Sequence, residues 1–344
     1  MTLAVRTPNW IGDCVMARPA LRLLESHYAA HDLILITRPY LVELFTPPLV
    51  SHDLSHPVIG LPLSRGWREV VSGSRRLKDC NAERGLLFTN SMSSALMFRL
   101  AGIRHLTGYR RDGRDLFLSK KLDWPRQEWR QVDAYNDLAA AELGTHGDHG
   151  VDPDWPVPEP FRDQVRRRLV HLGAREEAPW IGISPCTAHG SAKEWPHARF
   201  LQLIQILTAE YSRLSVLLFG SPADHDRLEA LAATAPGCSI NLGRNLSLAE
   251  SVAAASLCRL FITNDSGMMH VADAVHTPVV ALFGPTDPRR VVSNSRSVRV
   301  IHHHASCAPC KRRDCKDHHC MRSISVREVW EAVTSRLDEA EGWE

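Results

Sequence analysis

An α/β protein built from two doubly wound parallel-sheet domains is what this sequence predicts, on three observations. Short apolar runs alternate with stretches of helical spacing along most of the chain, and such βα alternation implies a mostly parallel sheet with helices on both faces. Residues 152–160 read DPDWPVPEP, whose four prolines stiffen an extended segment and forbid helix. At 344 residues the chain also exceeds what one hydrophobic core usually serves. The proline-rich segment is therefore expected to be a linker between domains 1–160 and 161–344.

The elements follow in order. LAVRT (3–7) reads as a first strand, NWIGD as a tight loop, and VMARPALRLLESHY as a helix that starts or kinks at Pro19. LILIT (33–37) is a second strand, and GLLFT (85–89) a third, followed by NSMSSALMFRLAG as loop and helix. Beyond the linker, FRDQVRRRLVHLG is a bridging helix. Alternation then restarts with WIGIS (180–184), SVLLFG (215–220), CSINLG, RLFIT and PVVALFG as strands, with helices between them. VREVWEAVTSRLDEA (326–340) closes the chain as a helix with Val326, Val329, Trp330 and Val333 on one side. No GxGxxG follows the first strand, so the ordinary dinucleotide-binding reading lacks its main support.

Composition narrows the function. With 44% hydrophobic and 23% charged residues the chain has the balance of a soluble globular protein. No uninterrupted apolar stretch approaches membrane-spanning length, and the expected location is cytoplasmic. A formal net charge of +2 argues against nucleic acid as a partner. The basic excess is local: residues 65–130 hold 15 Lys and Arg against 7 Asp and Glu, and 15 minus 7 is +8. That region would attract an anionic acceptor or a membrane surface, or it is simply a solvated face.

Four of the nine cysteines cluster in CAPCKRRDCKDHHC: Cys307, Cys310, Cys315 and Cys320. The first pair has the CxxC spacing of a zinc site, with His302–His304, His318 and His319 nearby. The other spacings match no standard zinc module, and a loop of free thiols is the competing reading. No metal is assigned to the site.

The chemistry-bearing residues sit after strands. NDSGMMHVADA (264–274) follows RLFIT, at the carboxyl edge where open α/β sheets bind ligands. Ser266 or Asp265 is expected to cap the helix that opens at Gly267, whose free N–H groups suit a diphosphate. Gly267 allows close backbone approach, and Asp265 can accept from sugar hydroxyls. A plain capping sequence, with Met268 in the core and His270 a buried histidine, is the structural alternative. SPCTAHGSAKEWP (184–196) follows WIGIS; Gly190 and Ser191 make a loop able to wrap an anion, and Lys193 can stabilise a departing diphosphate. GSPADHD (220–226) offers Asp224, with Asp226 second, for ribose or phosphate-side contacts, or as helix caps. In NWIGD, Asp13 can act as general base toward an attacking hydroxyl, or as an N-cap.

Taken in order, PNWIGDCVMARPALRLL, FTNSMSSALMFRLAGIRHLTGYRRDGR, SPCTAHGSAKEWP, FGSPADHD, TNDSGMMHVADA, ALFGPTDP and the cysteine-rich tail resemble glycosyltransferase family 9, the heptosyltransferases, over nearly the whole chain. The resemblance implies a GT-B architecture: two Rossmann-like doubly wound domains facing across a cleft, the first binding acceptor and the second nucleotide sugar. It implies inverting transfer of L-glycero-D-manno-heptose from ADP-heptose to the inner core of lipopolysaccharide, with no cofactor required and with peripheral contact at the inner face of the inner membrane. By position it makes Asp13 the base and Lys193 the diphosphate contact. It places Thr187, Gly190, Ser191, Asp224, Asn264, Asp265, Ser266, Gly267, Met268 and His270 on the donor side. Asn9, Gly12, Asn90 and Ser91 fall on the acceptor side. Pro185, Cys186 and Thr187 depart from the Pro-Gly-Ala expected before the lysine loop. A sugar-nucleotide epimerase of the same architecture, or a non-catalytic nucleotide-sugar binder, are the competing functions.

Overall fold

A computed structural model describes residues 1–50, 56–61, 66–124, 129–188, 190–294, 297–310 and 312–339. The chain divides into two compact units, Met1–Asp154 and Trp155–Glu344. The first carries six strands: β1 (Leu3–Arg6), β2 (Leu33–Thr37), β3 (Val58–Gly60), β4 (Arg84–Leu87), β5 (His105–Tyr109) and β6 (Lys120–Leu122). All pairings are parallel, in the order β3-β2-β1-β4-β5-β6. Its helices are α1 (Ile11–Met16), α2 (Arg18–Glu25), α3 (Trp67–Lys78), α4 (Met92–Leu100) and α5 (Gln131–Leu143). The helix expected around Pro19 is thus two pieces: α1 stops before Ala17, and proline sits in the first turn of α2, where its missing N–H costs nothing.

The second unit repeats the plan. Helix α6 (Glu159–His171) leads into β7 (Trp180–Ser184), α7 (His197–Glu210), β8 (Ser215–Leu218), α8 (His225–Ala232), β9 (Ser239–Asn241) and α9 (Leu248–Ser256). There follow β10 (Leu260–Asn264), α10 (Gly267–Ala274), β11 (Val279–Phe283), β12 (Val298–His302), α11 (His319–Arg322) and α12 (Val326–Asp338). The order β12-β11-β10-β7-β8-β9, counted within the unit from its far edge, is again 3-2-1-4-5-6, the doubly wound dinucleotide-fold order. Both units therefore have the fold class expected of GT-B proteins.

Apolar runs rather than alternating patterns form the central strands because helices cover both faces of a parallel sheet: WIGIS, LFITN and VVALF are buried along their whole length. Four strands go unforeseen in the sequence. Of these β3, β6 and β12 end their sheets or are only half-buried, and β5 opens on an exposed histidine; none shows a continuous apolar run. The unit boundary lies at 154/155 rather than the expected 160/161. The reason is Trp155, whose indole is buried and whose backbone N–H donates to the Ala274 carbonyl at 2.8 Å, tying the second half of the proline segment to the second unit. In α12, Val329, Val333 and Leu337 are buried, with Val326 and Trp330 packed beside them; Ala340, the end of the expected helix, lies outside the described residues.

Gly182 in β7 lies under the Phe261 ring of β10. A Cβ there would come within 2.4 Å of that ring, and overpacking a core costs about 1–3 kcal/mol. Gly182→Ala is expected to lower the unfolding free energy of the second unit by an amount in that range, read as a lower urea midpoint at unchanged slope, and an unchanged midpoint would show that the β7–β10 layer yields.

Candidate functional site

The strand order of the second unit reverses between β7 and β10, which pair directly with Thr263 beside Ser184. Successive connections leave this point in opposite directions, opening a crevice at the carboxyl ends. The loop after β7 and the start of α10 both emerge there. Lys193, from the first, places its Nζ 2.6 Å from Asp265 Oδ2, at the second, and the Asp265 side chain is only 6% exposed.

The lysine loop is tied down at several points. Asn264, wholly buried, donates through Nδ2 to the Pro185 carbonyl at 2.7 Å and accepts at Oδ1 from the Trp195 backbone N–H at 2.9 Å. Trp195 is buried edge-on against Phe200 and donates its indole N–H to the Ile324 carbonyl at 2.9 Å. Thr187 receives no cradle of its own; its N–H donates to Glu194 at 2.9 Å and its hydroxyl to the Gly190 carbonyl at 2.7 Å. Glu194 is in turn gripped by both terminal nitrogens of Arg227.

The cysteine-rich tail holds the other side of the loop. Ser191 donates through N–H and hydroxyl to Asp314 Oδ1, at 3.3 and 3.1 Å, and Ala192 N–H donates to the Arg313 carbonyl at 2.9 Å. Gly190 has φ +115° there, and a Cβ would approach the Arg313 oxygen to 2.4 Å, so glycine is required twice over. Cys307, Cys310, Cys315 and Cys320 are free thiols. Burial raises the Cys320 thiol, and the other three thiols act on it in the same sense. Among the described residues no group of three or more His, Cys, Asp or Glu is arranged to hold a metal ion.

The capping expected at Gly267 is not made. Ser266 is the N-cap residue of α10, yet its side chain caps nothing, because its hydroxyl lies 3.0 Å from Thr263 Oγ1. Asp265 faces Lys193 instead. The start of α10, Ser266 to Met268, is half-exposed and keeps the partial positive charge of a helix N-terminus. Met269 belongs to the core; Met268 does not. His270 is buried, and burial holds its imidazole below the usual histidine range.

Asp224 is used locally: its Oδ2 accepts from the Ser221 N–H at 2.9 Å and hydroxyl at 2.6 Å, closing a capping box after β8. It also reinforces the effect of burial that pushes the Cys186 thiol up to about 12. Asp226 sits exposed in the first turn of α8.

In the first unit the order reverses between β1 and β4. Asp13 lies in the first turn of α1, directly after β1, and accepts from the Tyr135 hydroxyl at 3.3 Å. Burial, then Asp13, push the Tyr135 phenol well above its usual range, so it donates at any ordinary pH. Phe88, following β4, packs on that ring at 5.3 Å. Gly12 is buried within α1. Asn9 is held by Arg6 and Arg38, whose nitrogens donate to its Oδ1 at 2.6 and 3.1 Å. Arg6 is 1% exposed, and burial brings its guanidinium down to about 10. Past β4, the wholly buried Arg114 donates to the Thr89 carbonyl and, at 3.1 Å, to Asn90 Oδ1. Ser91 caps α4, accepting from Ser94 N–H at 3.3 Å. Of the positive stretch 65–130, Arg65 and Arg126 lie outside the described residues.

Sequence reasoning missed Asn264 as a lash, Trp195, Asp314, Tyr135, Arg6 and Arg114. Only Arg6 carried a local signal, being a charge inside the apolar strand β1.

Residues 70–321 match the profile of glycosyltransferase family 9 (heptosyltransferase). Lipopolysaccharide heptosyltransferase 2 of Escherichia coli K12 is 29% identical, over 98% of this chain and 99% of that protein. Its counterpart from Salmonella typhimurium is 30% identical over the same shares, 98% and 99%. Among solved structures, E. coli ADP-heptose LPS heptosyltransferase II superposes with a TM-score of 0.81 at 26% identity, covering 99% of this chain and 100% of that one.

The buried His270 gives a pH signature. Burial lowers its folded pKa; Asp265 and Asp273 oppose that and Lys193 adds to it. Below about pH 6.5 the unfolded chain takes up the proton that the folded chain resists. Stability from this residue is therefore present above that pH and lost as pH falls through it. His270→Asn is expected to flatten that acid limb in urea titrations from pH 7.5 to 5; His197, also lowered by burial, leaves a remainder common to both proteins.

Proposed function

The chain belongs to glycosyltransferase family 9, and on that premise we propose that it moves L-glycero-D-manno-heptose from ADP-heptose, with inversion, onto the heptose/Kdo inner core of lipopolysaccharide. The observation that carries the reading is the Lys193–Asp265 pair, 2.6 Å apart, beside the uncapped start of α10 at the strand-order reversal of the second unit. A diphosphate is the ligand whose charge meets an ammonium and a helix N-terminus together.

In this mechanism Asp13 takes the proton from the attacking acceptor hydroxyl. As the glycosidic bond to ADP breaks, negative charge builds on the diphosphate, and Lys193 with the Gly267 and Met268 N–H groups stabilises it in place. Asp265 keeps the lysine aimed before the donor arrives. Asn264, Thr187, Gly190 and Ser191 hold the donor side in shape, Asp224 shapes the turn after β8, and His270 supports α10 from within. The second unit thus takes the donor. The first takes the acceptor, through the backbone around Asn9, Gly12, Asn90 and Ser91. The leaving charge is met by protein groups, so the mechanism assigns no cofactor.

The acceptor is an acidic glycolipid, which suits the +8 stretch at 65–130 and places the enzyme in the cytoplasm, peripherally at the inner face of the inner membrane. Among the described residues no helix is long and apolar enough to cross a membrane. The relatives that match over nearly the full length are heptosyltransferases 2, which favours an acceptor already bearing one heptose.

The test is ADP release from ADP-heptose with truncated core acceptors. Turnover is expected with the single-heptose acceptor; none with any acceptor would sink the reading. Asp13→Asn is expected to cut kcat by about 10²–10⁴-fold while ADP binding persists. Lys193→Ala should lower kcat by about 10²–10³-fold and weaken ADP binding as well.

A further inference from the structure

The tail 307–320 takes no part in the mechanism above, yet it touches the lysine loop at its most constrained point. It is anchored on the far side too. Cys310 N–H donates to the Pro285 carbonyl at 2.8 Å, just past β11. Cys320 and Met321 are buried against Gly284, where a Cβ would meet the Met321 sulfur at 2.4 Å and the Cys320 sulfur at 3.0 Å. Between these anchors the chain reaches over to Ser191 and Ala192, one residue short of Lys193.

We propose that the cysteine-rich segment is a strut that positions Lys193, with Asp314 as its positioning residue and the Arg313 carbonyl as its second contact. The inference rests on the donor-side reading of Lys193. Three geometric facts point the same way. Asp314 Oδ1 accepts two hydrogen bonds from one residue, fixing both backbone and side chain of Ser191. The loop reaches the Arg313 oxygen only because Gly190 has no Cβ. And Ser191–Lys193 is a single 3-10 turn, so a shift at Ser191 rotates Lys193 with it. Asn264 fixes the loop at both ends, at Pro185 and at Trp195; the strut fixes its middle, at Ser191 and Ala192. Lys193 is the flexible, four-carbon cation between them, and a lysine aims its charge only as well as its backbone is held.

The test is a double-mutant cycle on ADP binding by calorimetry, with kcat measured alongside. Asp314→Ala is expected to weaken ADP binding by about three- to tenfold, the size of coupling between groups in one network, and to lower kcat more than it raises the acceptor KM. Asp314→Asn keeps the accepting oxygen and should restore binding to within about twofold. On the Lys193→Ala protein, Asp314→Ala should change ADP binding by less than about twofold, because the group it positions is gone. An equal loss on both backgrounds, or none on the parent, overturns the inference. Calorimetry uses no acceptor, so a protein that gives this cycle but never transfers heptose would sink the transfer reading and leave the strut standing. A parent protein that binds no ADP overturns both.

Discussion

The reversal of strand order between β7 and β10 is the constraint from which the rest of the second unit follows. Two loops leave the carboxyl edge in opposite directions, and the gap between them is bridged by one ion pair, Lys193 to Asp265. Taking two charges out of water is expensive, and a buried pair is often no more stable than apolar residues of the same volume. The Lys193 side chain is 22% exposed and that of Asp265 6%, so the carboxylate bears most of that cost. Such a pair is a poor stabiliser and a good preorganiser: it holds a cation in position before any ligand arrives. The lash of Asn264, the packing of Trp195 and the grip of Arg227 on Glu194 all surround this one charge.

Where the sequence rule fails is informative. NDSG reads as an N-cap, and in most helices Ser266 or Asp265 would supply it. Here the serine hydroxyl turns back to Thr263 and the carboxylate is claimed by the lysine. The N-cap side chain makes no capping bond to the first turn of α10, at a cost of about 0.5–2 kcal/mol relative to a capped helix. Real proteins break a local rule mainly at functional sites and compensate elsewhere. By contrast, Asp224 and Ser91 obey the rule, and each spends its side chain on a cap.

Both doubly wound sheets, with the loops at 184–196 and 264–274 that follow β7 and β10, were legible because they depend on local signals: apolar runs, and small residues after strands. The four unforeseen strands were not: β3, β6 and β12 are edge strands of three to five residues, and β5, though internal, opens on an exposed histidine and mixes polar with apolar residues, so none has a run to detect. The contacts that aim the site were illegible for a different reason. Asn264 reaches back 69 residues to Trp195, Tyr135 reaches 122 to Asp13, and Asp314 reaches 123 to Ser191. No period or spacing in one sequence encodes a pairing at that range. The position of each partner is set by sheet order, which must be known first.

The first unit solves the same problem with a different residue. At its own reversal, between β1 and β4, two guanidiniums are buried almost completely: Arg6 holds Asn9 and Arg114 holds Asn90. Arginine suits that task because its rigid fork of donors can satisfy several carbonyls at once, where a lysine would offer one mobile charge. Burial lowers both guanidiniums to about 10, still far above neutrality, so they remain cations without carboxylates in their hydrogen bonds. Their targets are carbonyl and amide oxygens, which fix loops without neutralising the positive potential. Two reversals in one chain are thus rigidified by cations, one aimed by a carboxylate and tail, the other locked by backbone oxygens. That difference matches the work proposed for each: a lysine on a flexible stem offered to a diphosphate, and arginines that hold loops in place.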